Sequence, residues 1–476
     1  MSGADGFDAV VVGAGPNGLM AALTFAEAGR RVLVVEAADR VGGALRTEEL
    51  TLPGFRHDVG ATVLPLAVAS PAFRGMQLPL DEALWAHPPV PAAHPLDGAA
   101  VLVHRDVAET AAGLAGDGTA WRALVGGNAA AGERLVDALL SPLSPGHALR
   151  AAPALARFGA SGILPATTLA RAAFRTEAAR AVLAGMAGHS VLSLDQPATA
   201  GYATFMAGLA HLVGWPLVVG GSENLAIALV ERLTALGAEI RVGVRVRDLS
   251  ELPAARSLLL DLTPRQVLAV AGHRLPERYR RRLARYRYGP GVFKVDWALD
   301  APVPWRDCRV TGAGTVHLGG TIGEIAAAER QVARGGHPER PYVICVQPTA
   351  ADPTRAPAGK HTLWAYCHVP NGSTVNVAAA IEQQLERYAP GFRDRVLARH
   401  VFSPAELEAF DANLVGGDVG GGAADLRQFI ARPVLSLRPW ATPVPGLYIG
   451  SAGTPPGGGV HGMGGWHAAR LALHRA

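Results

Sequence analysis

Three glycines and one acid carry the clearest chemical pattern in this chain. Gly13, Gly15 and Gly18 stand in the spacing G-x-G-x-x-G, and Glu36 follows them. Gly13 permits a tight turn, Gly15 lets backbone approach a pyrophosphate, and Gly18 lets a helix pack closely on a sheet. The N-terminus of such a helix offers unpaired N–H groups and a partial positive charge to phosphate. A carboxylate at Glu36 can accept both ribose hydroxyls and opposes a 2′-phosphate. The four residues together read as a dinucleotide site without that phosphate.

The elements that must position them surround them. Residues 7–12 are a short β-branched run suited to a buried parallel strand. Residues 19–28 read as a helix closed by Gly29, and 31–35 read as a second strand ending on Glu36. That is a complete βαβ unit. A second motif extends it: Glu36-Ala-Ala-Asp-Arg40-Val-Gly42-Gly43, with Arg46 and Thr47 next. Glycines here bring backbone N–H groups close to a further part of a long cofactor, an extension a plain NAD site does not need.

With these residues the sequence resembles the FAD-dependent phytoene desaturases and carotenoid isomerases and, more distantly, the amine oxidases. The resemblance rests on Arg40, Gly42 and Gly43, on Pro53-Gly-Phe-Arg-His-Asp58-Val-Gly60, and most strongly on the C-terminal end. There, Leu447-Tyr-Ile-Gly450-Ser451-Ala-Gly453 is followed by Pro456-Gly457-Gly458-Gly459-Val460-x-Gly462. The middle of the chain matches only faintly. The resemblance implies FAD held by Gly13, Gly15, Pro16, Asn17, Gly18, Glu36, Ala37, Arg40, Gly42, Gly43 and Ala44. At the other end it implies Gly450, Ser451, Gly459, Val460, Gly462 and Met463, with a backbone contact from Val246 to adenine. The last helix would then start beneath the flavin pyrimidine ring, its dipole favouring the reduced, anionic flavin.

Catalytic candidates are fewer. Lys294 lies on an alternating strand, Gly291-Val-Phe-Lys-Val-Asp-Trp297, and is one of only two lysines, with Lys360. The amine-oxidase resemblance implies a lysine that holds a water near flavin N5; a plain strand lysine would instead pack its stem and send its amine to solvent. His461 and His467 flank the start of the last helix: near the flavin if the resemblance holds, with His461 substrate-facing, and helix-cap or surface histidines otherwise. His57 reads as a flavin neighbour or a loop residue, and Tyr202, Trp364 and Tyr366 as core or pocket lining.

The resemblance implies an α/β fold: a Rossmann-type FAD-binding domain with an inserted mixed α+β substrate domain. The expected boundaries are 1–80, 211–290 and 425–476 for the first, and 81–210 and 291–424 for the second. Residues 80–210 read as mostly helical, 239–246 as one strand, and the glycine-rich 416–422 as a flexible loop. At 476 residues with 49% hydrophobic and 18% charged composition, the chain can bury large cores and is not of a disordered type. A net charge of +4 with arginines spread along the chain excludes a nucleic-acid reading, and the densest run, Arg278 to Arg287, suits a solvated helix face. Three cysteines without a C-x-x-C pair read as free core thiols. No leader and no membrane span is expected, so a cytoplasmic protein follows, with peripheral attachment to a membrane left open because a lipophilic substrate would reside there; 155–175 is the one candidate membrane-surface segment and reads as core.

Three functions stay open. The first is dehydrogenation of a C–C or C–N bond in an apolar or small metabolite, by hydride transfer to flavin N5 with oxygen or a quinone as acceptor. The second is a redox-neutral flavin-dependent isomerase. The third is an FAD-binding scaffold without turnover. Oligomeric state is not legible.

Overall fold

The computed structural model describes residues 6–76, 82–142 and 145–475. Two sheets organise it. The strand Phe7–Val12 lies at the centre of a five-stranded parallel sheet, flanked by Val32–Val35 and Ala255–Leu260. Glu239–Arg241 and Leu447–Ile449 form its edges. The central strands are almost continuously apolar because helices cover both faces, as parallel sheets require. The second sheet has seven strands and is mixed: every pair is antiparallel except Ala313–Leu318 beside Val90–Pro95. Its long strands Gly291–Leu299 and His361–Val369 pair along their full lengths. The architecture is the expected α/β class, a Rossmann-like sheet joined to a mixed α+β region.

The segment read as helical departs from that reading at its start. Residues 85–86, 90–95 and 100–103 are strands, and the helices begin at Val107. The alanine-rich composition masked the run Val90-Pro-Ala-Ala-His-Pro95, which is buried throughout and pairs on both sides. The strand expected over 239–246 stops at Arg241. Gly243 turns there with φ +71°, its N–H bonding the Ala38 carbonyl at 2.7 Å, so the chain folds over Glu36 instead of continuing. The glycines of 416–422 are not a flexible loop: Gly416, Gly417, Gly421 and Gly422 are buried in close contact with neighbouring elements. Cys345 and Cys367 are core thiols as expected, but Cys308 is exposed. Among the described residues no helix is long and apolar enough to cross a membrane.

The two ends of the chain meet through helix packing. The helix Pro16–Glu27 lies against the last helix, Met463–Leu473, and the contact surface is made of small residues. A Cβ on Gly465 would sit 1.8 Å from the Asn17 carbonyl oxygen, so no side chain fits there. Gly465→Ala is therefore expected to lower stability by about 1–3 kcal/mol or more, the usual cost of overpacking. Chemical denaturation should show this as a lower midpoint with an unchanged slope.

Candidate functional site

A cavity of about 640 Å³ runs between the two sheets. One end is built by the first βαβ unit. The helix after the glycine turn begins at Pro16, and its N-cap Gly15 has no side chain to offer; of the first-turn N–H groups, that of Gly18 is taken by Asp261. Gly13, Gly15, Pro16, Asn17, Glu36 and Ala37 line this end, and Gly43 and Ala44 follow. The Glu36 carboxylate accepts the N–H groups of Ala14 at 2.7 Å and Ala38 at 2.8 Å, which orients it at the cavity wall. Val246 lines the cavity beside it, brought there by the turn at Gly243. From the C-terminal segment, Ser451, Gly459 and Val460 reach the cavity.

Other expected residues stand behind the wall. The Gly18 N–H goes to the Asp261 carboxylate at 2.8 Å. Gly42 donates to the Ala14 carbonyl at 2.9 Å, Gly450 packs on the last helix near Ala468, and Gly462 caps that helix with φ +66°. Arg40 does not face the cavity: it pairs with Glu48, and with Glu223 at 3.2 Å. Arg46 lines the cavity instead. Met463 is buried and gives its N–H to the His461 ring at 3.1 Å.

That last bond corrects the substrate-facing reading of His461. Its ring caps the last helix, its carbonyl accepts the Ser70 hydroxyl at 2.6 Å, and it is not part of the cavity lining. Burial pushes its pKa down to about 4, so it stays neutral. His467 is neither a cap nor a surface residue; it is buried and its Nε2 lies 3.0 Å from the Leu140 carbonyl.

At the far end Lys294 lines the cavity beside Trp364 and Tyr366, whose rings stack 5.8 Å apart. The Lys294 amine does not reach solvent. It bonds both oxygens of Asp296, at 2.6 and 2.5 Å, and the Asp58 carbonyl at 3.0 Å. These three acceptors match its three donors, so the amine has no proton left to hold a water unless the pair opens. Tyr202 lies away from this lining.

Below Lys294 is a buried charge network that the sequence did not reveal. Asp58 accepts from Arg355 at 2.9 Å, from the Ser222 N–H at 2.9 Å and from Thr47 at 2.7 Å. Arg355 also grips Asp352 at 2.9 Å and the Val218 carbonyl at 3.1 Å. Burial alone would raise the Asp58 pKa, but the Arg355 guanidinium and the hydrogen bonds outweigh it and hold the carboxyl below the usual range. Asp296 goes the other way, raised by burial more than Lys294 lowers it. His57 is buried, bonds Thr51 at 2.8 Å and is pushed down to about 3 by burial and by Lys294. It does not line the cavity.

Two further groups were missed. Asp261, at the end of the strand Ala255–Leu260, lines the cavity against Gly13 and Gly15. Burial, with Asp411 and Glu36 nearby, pushes its pKa up to about 7. The apolar run Leu258-Leu-Leu-Asp261 repeats the pattern that ends on Glu36, and that was the available signal. His189 opens onto the cavity, and its Nε2 lies 2.9 Å from the Nε2 of the fully buried His317. A Cβ on Gly185 would come within 2.9 Å of Nδ1 of both His317 and His94, so only glycine leaves room for these rings. Burial lowers all three histidines, His189 to about 3 and His94 to about 4. They are neutral hydrogen-bonding groups rather than charges. No spacing signal links them.

Comparison with known proteins agrees with this geometry. Residues 11–76 match the NAD(P)-binding Rossmann-like domain family. The chain is 26% identical to rat pyridine nucleotide-disulfide oxidoreductase domain-containing protein 2, across 99% of this chain and 94% of that protein. It is 28% identical to the phytoene dehydrogenase of Streptomyces griseus, across 82% of this chain and 77% of that protein. A solved putrescine oxidase variant superposes with a TM-score of 0.62 at 19% identity, covering 99% of both chains, and shows a common fold.

Two expectations follow. Asp261 has a raised folded pKa, so below about pH 4 it costs nothing, and its ionisation cost builds as pH rises towards 7. Asp261→Asn should therefore raise the melting temperature of the cofactor-free protein more at pH 8 than at pH 5. Equal shifts at both values would refute the assignment. Arg355→Met leaves Asp58 and Asp352 buried without their cation and should cost about 3–5 kcal/mol, read as a loss of melting temperature or of soluble protein. In sequence the chain is similar to phytoene dehydrogenases, and it shares its fold with solved putrescine oxidase.

Proposed function

We propose that the chain is an FAD-dependent oxidoreductase that dehydrogenates a C–C or C–N bond of an apolar or small substrate. The observation that carries this is the single cavity that joins the glycine turn and Glu36 to Lys294, Trp364 and His189. The residues fit an extended dinucleotide: a helix start whose N-cap is a glycine, a carboxylate at the ribose position, and glycines where a Cβ would close the passage. On Gly43, for example, a Cβ would come 3.0 Å from the Gly15 Cα. Bound there, FAD would supply the hydride-accepting chemistry.

The chain's own residues then have separable roles in this proposal. Gly13, Gly15 and the helix at Pro16 receive the diphosphate, Glu36 the ribose, and the Val246 backbone the adenine. The parallel sheet and the segments around it, 1–80, 211–290 and 425–476, hold the cofactor. The mixed sheet and the helical segment, 81–210 and 291–424, hold the substrate. Lys294 and Asp296 form a locked ion pair at the substrate end and fix the position of the Asp58–Gly60 backbone. Met206, Trp215, Ile344, Val346 and Trp364 make that end largely apolar, which favours an apolar substrate and keeps water away from the transferred hydrogen. Neutral His189, backed by His317, gives this wall a hydrogen-bonding group. Oxygen or a quinone then takes the electrons.

The test is the absorption spectrum of the purified protein, followed by anaerobic exposure to alkene, alcohol and amine substrates. Flavin bands that bleach with one of these classes are the expected result. A colourless protein that takes up no added FAD would end the proposal. Glu36→Gln should weaken FAD binding roughly ten- to a hundredfold, the worth of a charge-assisted hydrogen bond, as measured by flavin fluorescence quenching.

A further inference from the structure

The described surface carries its large exposed apolar side chains unevenly. Phe429, Ile430, Leu435 and Leu437 are 51, 64, 71 and 100% exposed, and Leu426 is also exposed, all within one stretch of 426–437. This stretch is not a loose tail. Buried Gln428 bonds the Arg287 and Ala423 carbonyls at 2.7 and 3.1 Å, and accepts the Arg287 N–H at 3.1 Å. Buried Arg432 donates to the Gly420 and Gly422 carbonyls at 3.1 and 3.2 Å. Trp440 closes the segment with a bond to the Pro455 carbonyl at 3.0 Å. The backbone is fixed from inside while the apolar side chains point out, at an energetic cost that water alone does not explain.

Beside it lies the arginine run singled out in the sequence. The helix Glu277–Ala284 and the residues after it carry six arginines between Arg278 and Arg287, all exposed; Arg427 adds one within the apolar stretch and Arg438 another directly after it. Only two carboxylates, Glu277 and Asp425, belong to these segments. Both are paired, with Arg281 at 3.5 Å and Arg287 at 2.5 Å. The two parts form one body, because Arg287 bonds Asp425 and the Tyr286 hydroxyl donates to the Gly421 carbonyl at 2.7 Å.

We infer that the 426–437 stretch and the adjoining arginine helix form a docking face for an anionic phospholipid bilayer. Apolar side chains enter the boundary between headgroups and acyl chains, while the arginines meet lipid phosphates. Protruding side chains such as Leu437 suit a soft bilayer better than a shaped protein pocket. A second copy is disfavoured because a twofold contact would set arginine clusters face to face. The expected candidate, 155–175, does not compete: Ile163 is its only large apolar residue left exposed, while Leu169 and Phe174 are in the core. The face is also continuous with the cavity, since Val419 and Gly421 line it and Arg432 holds the loop they belong to. An apolar substrate could enter from the bilayer by this side. That route rests on the function proposed above; the docking face does not.

The test is flotation of the purified full chain with vesicles of phosphatidylcholine alone and of phosphatidylcholine with phosphatidylglycerol. Binding is expected only to the anionic vesicles, and to fall with added salt. Leu435→Ser with Leu437→Ser should weaken it by about tenfold or more, with melting temperature unchanged because both residues are exposed. Arg280→Glu with Arg282→Glu should remove the preference for anionic lipid. No binding to either vesicle, or binding that neither variant changes, overturns the inference. A dimer in solution that the serine variant breaks, without vesicle binding, assigns the face to a second copy instead. Flavin content is read separately by absorbance, so docking and the proposed activity can fail independently.

Discussion

The buried ionic network around Asp58 and Arg355 is the constraint on which the arrangement of the cavity depends. A charge removed from water must be paired and hydrogen-bonded, or its desolvation cost exceeds what burial returns. Here the pairing is spread over four separate pieces of chain. Asp58 comes from the short strand His57–Asp58, Ser222 from the start of the helix Glu223–Ala235, Arg355 from a short turn, and Lys294 with Asp296 from a long strand of the mixed sheet. The Asp58 carboxylate and its backbone carbonyl together therefore tie the mixed sheet to the segments that belong to the glycine turn. The cavity is the space left between parts whose spacing these bonds set.

That constraint also explains why the two cavity ends differ in legibility. The glycine turn and Glu36 could be read directly, because a βαβ unit places its working residues within a few dozen positions of one another and every residue type there has a local reason. Asp58 and Arg355 lie 297 positions apart, and neither has a neighbouring pattern that names the other. Lys294 was visible as a rare lysine on an alternating strand. What it does with its three protons depends on Asp296, two positions along the same strand and facing the same way, and on a carbonyl from another segment. Alternation alone could show the first and not the second.

Glycine-rich segments misled for a related reason. At 416–422 the composition suggests freedom, yet these glycines are there because other groups come too close for a side chain. A Cβ on Gly416 would meet Asn371 Oδ1 at 2.1 Å, and one on Gly422 the Tyr286 hydroxyl at 2.0 Å. Sequence composition does not separate a glycine that moves from a glycine that is pressed. His461 shows the same limit for direction. Its position just before the last helix allowed both a cavity-facing ring and a capping ring, and the choice is made by the Met463 N–H and the buried Ser70 hydroxyl.

The acids near the glycine turn pose the sharper electrostatic question. Glu36, Asp261 and Asp411 all line the end of the cavity where an anion would be received, and the positive end of one helix is a modest counterweight. The charges do not act equally. Glu36 has an oxygen on each of two backbone N–H groups, so part of its charge is already answered. Asp411 and Asp261 are both raised, Asp261 to about 7, by burial before any charge effect. Burial therefore decides the balance. It keeps a proton on Asp261 in acidic solution, where the carboxyl still accepts the Gly18 N–H but carries little negative charge, and lets it go only as pH passes about 7. An anion brought to the turn would raise that pKa further and hold the proton more tightly, so binding and protonation favour each other. The end of the cavity can then be acidic in composition and still receive a phosphate.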